Sequence, residues 1–120
     1  MLIKTDAYTL EISDKTGNIV SFRGITGYDY IEKETPLVRL SLLKSNGERV
    51  IAESGDCSAV ERKGNTVTVR YEEIGGLPVS AVASFRVEQP SLVGMRLSLS
   101  NRTDMRTESA LYPGIIIKNR

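Results

Sequence analysis

The residues of this chain that could do chemistry are carboxylates, tyrosines and one cysteine, because the sequence contains no histidine. Without histidine there is no Ser-His-Asp or Cys-His triad, no imidazole general base and no histidine-ligated metal. Carboxylate pairs, a lysine base or a tyrosine acid remain chemically open. We therefore predict no catalytic residue, no metal site and no cofactor, and we do not expect the isolated chain to be an enzyme.

Two acidic pairs have the residue types needed for glycoside hydrolysis, Asp104 with Glu108 and Glu72 with Glu73. Adjacent residues of a strand point to opposite faces, so Glu72 and Glu73 cannot act across one bond. Solvated surface charge is the preferred interpretation of both pairs. Cys57 is predicted to be an inert, partly buried thiol, because no cation neighbours it in the sequence to lower its pKa.

Gly75 and Gly76 follow a predicted strand, where a phosphate-binding loop could begin. The glycine spacing of such a loop and the helix that follows it are both missing. A flexible turn is therefore the preferred interpretation of this pair.

Three tyrosines that lie in or beside predicted loops, Tyr28, Tyr30 and Tyr112, are the candidate sugar-stacking residues. The faces of aromatic rings can pack on the apolar faces of sugar rings. However, aromatic residues make up 6% of the chain and tryptophan is absent, which is poor for a dedicated carbohydrate-binding module. Packing in the core or at a sheet edge is the alternative that the composition favours.

Length and charge limit the other possibilities. A chain of 120 residues fits one domain and can bury a core without disulfides or metal. Its 16 basic and 15 acidic residues give a net charge of +1, so no electrostatic footprint for nucleic acid or an anionic membrane is present. Purely apolar runs are far shorter than the roughly 20 residues of a membrane-spanning helix. We therefore expect a soluble domain with neither partner.

The elements that must position these residues are β-strands, and the longest predicted ones form a hairpin at residues 79–101. Apolar and polar residues alternate on both sides of a turn at residues 89–91, and a period of two predicts strands. The two apolar rows are Val79, Ala81, Ala83, Phe85 and Val87, then Val93, Met95, Leu97 and Leu99. Two such rows on one hairpin need a second layer to cover them.

Similar alternation predicts further strands along the rest of the chain, at residues 7–13, 19–24, 37–43, 49–53, 58–62, 66–73 and 106–112. Tyr30 and Ile31 either form a short strand or pack under the sheet. The Asn46-Gly47 pair suits a type I′ hairpin turn. No capped apolar stripe at helical spacing occurs, so no long α-helix is predicted.

The predicted fold is therefore all-β, an antiparallel β-sandwich of about nine or ten strands. Residues 1–120 form a single domain, and a closed barrel is the lesser alternative. Because Phe85 and Leu97 lie in the middle of their rows, we predict that replacing either with alanine costs about 2–5 kcal/mol. Replacing the outward-facing Arg86 or Ser98 with alanine should have a mild effect.

Two stretches of the sequence carry a resemblance to a known family. Residues 8–12 and 17–22 form a leading hairpin, and residues 100–104 and 109–115 form a strand, a polar turn and a strand that ends at Pro113. Together they resemble the N-terminal β-sandwich of many bacterial glycoside-hydrolase-like proteins, which is related to the galactose-mutarotase-like supersandwich. Mutarotases of that fold use histidines with an acid, so their activity does not transfer to this histidine-free chain.

The resemblance implies a non-catalytic accessory, scaffolding or carbohydrate-contacting domain, and a chain that is a fragment of a larger carbohydrate-active protein. Its implied partners are a carbohydrate and the catalytic module of that protein. The implied location is periplasmic or extracellular if a leader has been removed, and cytoplasmic otherwise. A protein-interaction β-sandwich unrelated to sugars is the alternative, although the cysteine pair and tryptophan of immunoglobulin domains are absent.

The last stretch of the sequence predicts self-association. Residues 106–112 and 115–117 favour β-structure, and no further strand follows to cover them. An open apolar edge invites pairing, so we predict a homo-oligomer, most simply around a twofold axis. The alternative is that residues 115–117 fold back into their own sandwich.

Overall fold

The structure has the all-β fold class that the alternating pattern predicts. The computed structural model describes residues 1–89 and 92–114 and the backbone of residues 116 and 117. All regular elements in these residues are β-strands, and all strand pairs are antiparallel. The predicted all-β, sandwich-like fold is therefore confirmed.

The strands, in chain order, are β1 (Leu2–Lys4), β2 (Tyr8–Ile12), β3 (Ile19–Gly24), β4 (Ile31–Lys33), β5 (Arg39–Leu43), β6 (Arg49–Glu53), β7 (Ala59–Lys63), β8 (Thr66–Tyr71), β9 (Val79–Gln89), β10 (Leu92–Asn101), β11 (Arg106–Leu111) and β12 (Ile116–Ile117). They form four sheets with the orders β1-β2-β3, β10-β9-β8-β7, β11-β5-β6 and β12-β4. Most neighbours in a sheet are also neighbours in sequence, which is the pattern of a chain built from hairpins.

One hydrophobic core joins the inner faces of these sheets. Its residues come from the alternating rows of the strands, including Leu10 and Ile12, Leu40 and Leu42, Val67, Val69 and Tyr71, and Val79, Ala81, Ala83 and Phe85. Side chains that alternate with them on β9, such as Ser80 and Ser84, are only partly buried. The predicted inward and outward faces of β8 and β9 are therefore confirmed.

The long hairpin is less evenly buried than its sequence suggests. β9 lies between β8 and β10, whereas β10 is at the edge of its sheet. Phe85 of β9 is completely buried, but Val93, Met95, Leu97 and Leu99 of β10 are only half-buried. The predicted facing of β10 is correct. Because Leu97 is only half-buried, we expect its truncation to cost no more than the low end of the about 2–5 kcal/mol that the sequence suggests.

The turn between β5 and β6 differs from the predicted type I′. No described residue other than glycine has a positive φ, so Asn46 does not meet the I′ requirement, while Gly47 has a φ of 89°. The Gly47 N–H donates to the Lys44 carbonyl oxygen at 3.0 Å, and the Lys44 N–H donates to the Glu48 carbonyl oxygen at 2.8 Å. This is the pattern of a three-residue loop with a glycine bulge, in which only the glycine takes the left-handed conformation.

The structure adds two short strands, β1 and β12, to those predicted from the sequence. β1 pairs with β2 and buries Ile3, although three residues are too few to show a period of two. The backbone of β12 pairs with β4, so Ile116–Ile117 do fold back onto their own chain. Ile115 lies outside the described residues. This pairing removes one reason for association, and the homo-oligomer itself stays a prediction.

The turn between β2 and β3 packs against β8. Gly17 has a φ of 73°, and a β-carbon built on it would overlap the Val69 Cγ1 atom and the Tyr71 hydroxyl oxygen. Gly64, in the turn between β7 and β8, has a similar φ of 62° but has no heavy atom near the same position. Comparing alanine substitutions at the two glycines therefore separates the cost of the backbone conformation from the cost of steric overlap.

We expect Phe85→Ala to lower the free energy of unfolding by about 3–5 kcal/mol, because it opens a cavity in a fully buried site. Leu97→Ala should cost clearly less, about 1–2 kcal/mol, because the side chain already touches water. Urea denaturation of the two variants and the wild type measures both values. Equal losses would contradict the edge position of β10.

We expect Gly64→Ala to destabilise the protein by about 1–2 kcal/mol, because alanine is strained at positive φ. Gly17→Ala should cost that amount and about 1–3 kcal/mol more, because the added methyl group overpacks the Val69 and Tyr71 contact. Thermal and urea unfolding of both variants provide the comparison. If the two variants are equally stable, the turn does not pack on β8 as described.

Candidate functional site

The candidate site is a loop that carries two of the three predicted tyrosines. After β3 the chain turns back along the same strand, with the Tyr30 N–H donating to the Phe22 carbonyl oxygen at 2.8 Å. Tyr28 and Tyr30 lie at the end of this return and are both half-buried. Their rings meet edge to face with centroids 5.1 Å apart. We call residues 28–30 the tyrosine loop.

The tyrosine loop rests on a chain of aromatic rings that begins in the core. The Tyr30 ring lies 6.2 Å from the Phe22 ring, and Phe22 lies 5.4 Å from Tyr8 in a stacked arrangement. Tyr8 is buried at 6% exposure, whereas the two loop tyrosines are partly exposed. Successive ring contacts of this kind stabilise beyond the area they bury. These ring contacts therefore hold the partly exposed rings of Tyr28 and Tyr30 against the core.

Asp29, between the two tyrosines, fastens the loop to β3. Its carboxylate accepts hydrogen bonds from the Ser21 hydroxyl at 2.8 Å, the Phe22 N–H at 3.1 Å and the Ile31 N–H at 3.0 Å. Burial alone would raise the pKa of this carboxyl, but the three hydrogen bonds and the charge of Arg23 outweigh it and lower the pKa. Asp29 is therefore an anion that positions the loop.

An apolar cavity lies beside the tyrosine loop, where the β2–β3 hairpin approaches β10. Its volume is about 400 Å³. The described residues that line it are Leu10, Ile19, Phe22, Tyr30, Ile31, Val93, Met95 and Pro113. The lining therefore brings residues of the first hairpin, the tyrosine loop and the edge strand β10 to one place.

Tyr112, the third predicted site residue, has a different environment. Its ring packs on Phe85 with centroids 6.1 Å apart, and its hydroxyl donates to the Ser84 carbonyl oxygen at 3.0 Å. Burial raises the pKa of this phenol. These contacts tie the segment after β11 to β9, which is the packing role that the sequence left open as the alternative.

The acidic residues considered for hydrolysis are held as surface charges. Glu108 accepts from Arg49 at 2.7 and 3.1 Å and from the Ser41 hydroxyl at 2.9 Å. The hydrogen bond from Arg49, followed by that from Ser41, lowers the pKa of Glu108. The general acid of a glycosidase needs the opposite shift. Asp104 lines a shallow depression beside Lys44 on the surface.

Glu72 and Glu73 lie at a second surface depression, next to Arg70 and Arg102. Both side chains are exposed. The Arg102 guanidinium donates to the Glu72 carbonyl oxygen at 3.4 Å, which leaves the pair solvated. The arrangement is that of solvated surface charge, which is the interpretation that the sequence favours.

The remaining candidates from the sequence have environments that suit a structural role, and they are Gly75, Gly76 and Cys57. Gly75 and Gly76 have φ of 59° and 77° in a tight turn in which Ile74 and Leu77 exchange backbone hydrogen bonds. Cys57 is partly buried and donates to the Lys15 carbonyl oxygen at 3.3 Å, and burial raises the pKa of its thiol. The predicted partial burial of this thiol is therefore confirmed, and its inertness stays a prediction.

Residues 1–89 and 92–114 contain no group of three or more acidic or cysteine side chains arranged to hold a metal ion. None of the described residues belongs to a helix that could cross a membrane.

Sequence reasoning missed the role of Asp29, although a usable signal was present. Aspartate next to a turn commonly accepts hydrogen bonds from backbone groups a few residues away, and Asp29 follows Gly27 and Tyr28. What the pattern could not supply is the partner strand. Ser21 and Phe22 lie across a reversal of the chain, so only the folded structure shows which donors they present.

We expect Asp29→Asn to lower the free energy of unfolding at neutral pH by about 1–3 kcal/mol, because a carboxylate with three donors is lost. Since folding lowers the pKa of Asp29, its contribution is present above the unfolded value of about 3.9. That contribution disappears as the pH falls through the folded value. Urea denaturation across acidic and neutral pH should show a steeper acid loss for the wild type than for Asp29→Asn.

The matched control is Asp56→Asn, which changes an exposed carboxylate. It should retain both the wild-type stability at neutral pH and the wild-type loss in acid. If Asp29→Asn behaves like this control, the carboxylate does not fasten the tyrosine loop.

Comparison of the chain with family models, with curated proteins and with solved structures gave no match. The resemblance to a glycoside-hydrolase N-terminal β-sandwich therefore stays a prediction from the sequence.

Proposed function

We propose that this chain is a non-catalytic, carbohydrate-contacting accessory β-sandwich of a glycoside-hydrolase-like protein. The observation that carries the proposal is the pair of partly exposed rings, Tyr28 and Tyr30, held at the surface by Asp29 and Phe22. Tyr112 is left out of the contact surface, because its hydroxyl and ring are engaged by Ser84 and Phe85.

Preorganisation is what suits the tyrosine loop to this role. A tyrosine ring has an apolar face and only two rotatable side-chain bonds, so it provides contact area at a low entropic cost. The hydrogen bonds to Asp29 and the contact with Phe22 already restrict the loop before any ligand arrives. Less ordering is then required on binding, which favours a weak but specific contact with a sugar ring.

The chemistry of the chain supports a contact role better than a hydrolytic one. The sequence contains no histidine. Glu108 is paired with Arg49, which lowers its pKa, whereas a hydrolytic acid must hold its proton near neutral pH. In this proposal the catalytic module is a separate partner, and the β-sandwich packs beside it and contributes rings to the sugar-binding cleft.

A protein-interaction sandwich is the second candidate function, and the edge strand β10 favours it. Met95, Leu97 and Leu99 form a half-exposed apolar row on that strand. Within the described residues only β9 pairs with β10, so the other side of its backbone is open to a partner. Association in solution, rather than sugar binding, is the measurement that tests this candidate.

We expect neutral oligosaccharides to bind the wild-type protein with a dissociation constant on the order of 1 mM, the range of a few ring contacts. Titration followed by ¹H–¹⁵N NMR should shift the amide signals of residues 28–30. Tyr28→Ala and Tyr30→Ala should each weaken binding by about 2- to 10-fold, because each removes one ring face.

Two sets of controls separate stacking from other effects. Tyr28→Phe and Tyr30→Phe keep the ring faces and should keep most of the affinity. Tyr112→Phe should leave the affinity unchanged, because that residue lies outside the proposed contact. If no oligosaccharide shifts the signals of the loop at high millimolar concentration, the sugar-contacting role is wrong.

A further inference from the structure

The edge strand β10 lacks the features that usually prevent an edge from pairing. Its register with β9 is regular from Val93 to Asn101, with one shift between Leu92 and Val93. It contains no proline and no lysine, and Arg96 is its one charged residue. Natural proteins commonly protect edge strands with bulges, prolines, charges or short length. β10 has nine regular residues and almost none of this protection.

Several other edges described for this chain are protected. β11 has a register shift between Thr107 and Ser109 and carries the Glu108 that binds Arg49. β7 ends in three consecutive charged residues, and β1 has only three residues. The tyrosine loop covers the outer edge of β3 through the Tyr30 hydrogen bond. The remaining edge strands, β4, β6 and β12, have five residues or fewer. Among the described edges, protection is therefore weakest at the outer edge of β10.

The side chains of β10 also fit an apolar partner on one face. Val93, Met95, Leu97 and Leu99 point to the core side but remain half-buried, because no strand beyond β10 covers them. The opposite face carries Gly94, Arg96, Ser98 and Ser100. The net charge of +1 gives two copies of the chain little reason to repel each other.

We propose that two copies of this chain pair through β10, antiparallel and around a twofold axis, so that two four-stranded sheets become one continuous sheet. In such a pair, directly opposite residues lie on the same face of the sheet. The twofold axis must therefore lie between the two copies of one residue, so that this residue faces its own copy across the interface. This restricts the register to a few possibilities.

Charge excludes one of these registers. An axis at Arg96 would place the two Arg96 side chains directly opposite each other, which is destabilising. An axis at Leu97 places Leu97 opposite its own copy and Met95 opposite the second copy's Leu99, which makes the apolar rows continuous. Arg96 then faces the second copy's Ser98.

Strand overlap favours the axis at Leu97 over its neighbours. Leu97 is the centre of the regular stretch of β10, so Val93 then faces the second copy's Asn101 and all nine regular residues are paired. The pairing centred on Leu97 is the one we infer, and it is independent of sugar binding.

In this register a charge introduced at Ser98 lies directly opposite Arg96 of the second copy. Ser98 is exposed, so the variants should fold as the wild type does. We expect Ser98→Glu to tighten the dimer and Ser98→Lys to weaken it, each by about 2- to 30-fold, because the pair occurs twice in a twofold dimer. Sedimentation equilibrium from micromolar to millimolar concentration measures the dissociation constants.

Ser100 is the matched control on the same face of the same strand. In the Leu97-centred register it faces the second copy's Gly94, over which the Glu88 carboxylate of that copy lies. Ser100→Lys should therefore tighten the dimer and Ser100→Glu should weaken it, the opposite signs to those at Ser98. Circular dichroism and urea unfolding confirm that all four variants are folded.

Three outcomes would overturn the proposal. The first is a monomer at every concentration, which leaves β10 to a strand of another protein. The second is a dimer on which the Ser98 and Ser100 variants have the same effect. The third is a dimer insensitive to Ser98 but abolished by Ile116→Lys, which would assign association to the end of the chain.

Discussion

The structure depends on the turn between β2 and β3, which joins the first hairpin to the rest of the core through buried hydrogen bonds. The Leu37 N–H donates to the Asn18 side-chain oxygen at 2.8 Å, and the Tyr71 hydroxyl donates to the Thr16 carbonyl oxygen at 2.6 Å. An unsatisfied buried donor costs about 1–3 kcal/mol, so the loss of either acceptor would destabilise the fold. Gly17 lets this turn approach β8 closely enough for the Tyr71 hydrogen bond to form.

The position of the first hairpin also determines where the two proposed contact surfaces lie, which are the tyrosine loop and the edge of β10. Phe22 of β3 supports Tyr30, and the same ring lines the apolar cavity that Val93 and Met95 of β10 close from the other side. Within the described residues the tyrosine loop covers the edge of β3, whereas β10 pairs with β9 alone. One sheet edge is therefore protected by a segment with partly exposed rings, and the other is the edge at which we propose association.

Much of the local structure follows from periodicity and glycine placement. Most strands of five or more residues appear where a period of two is visible, because one of their faces must leave water, whereas β11 is exposed along its whole length. β1 and β12 are too short to show the period, and their places depend on pairing with β2 and β4. For the candidate site, the sequence indicated Tyr28 and Tyr30 but not Asp29, because the donors to its carboxylate come from an earlier strand.

By itself the sequence determined that the protein is all-β, which faces of its long strands are apolar, and that histidine chemistry is absent. Only the tertiary structure decided which of those apolar rows are fully buried. Phe85 and Leu97 occupy equivalent places in their patterns, yet one strand has neighbours on both sides and the other on one. Likewise, Tyr112 packs on β9 while Tyr28 and Tyr30 stay partly exposed. The physical reason is that alternation specifies the two faces of a strand, whereas burial depends on the order in which strands pair across the whole chain.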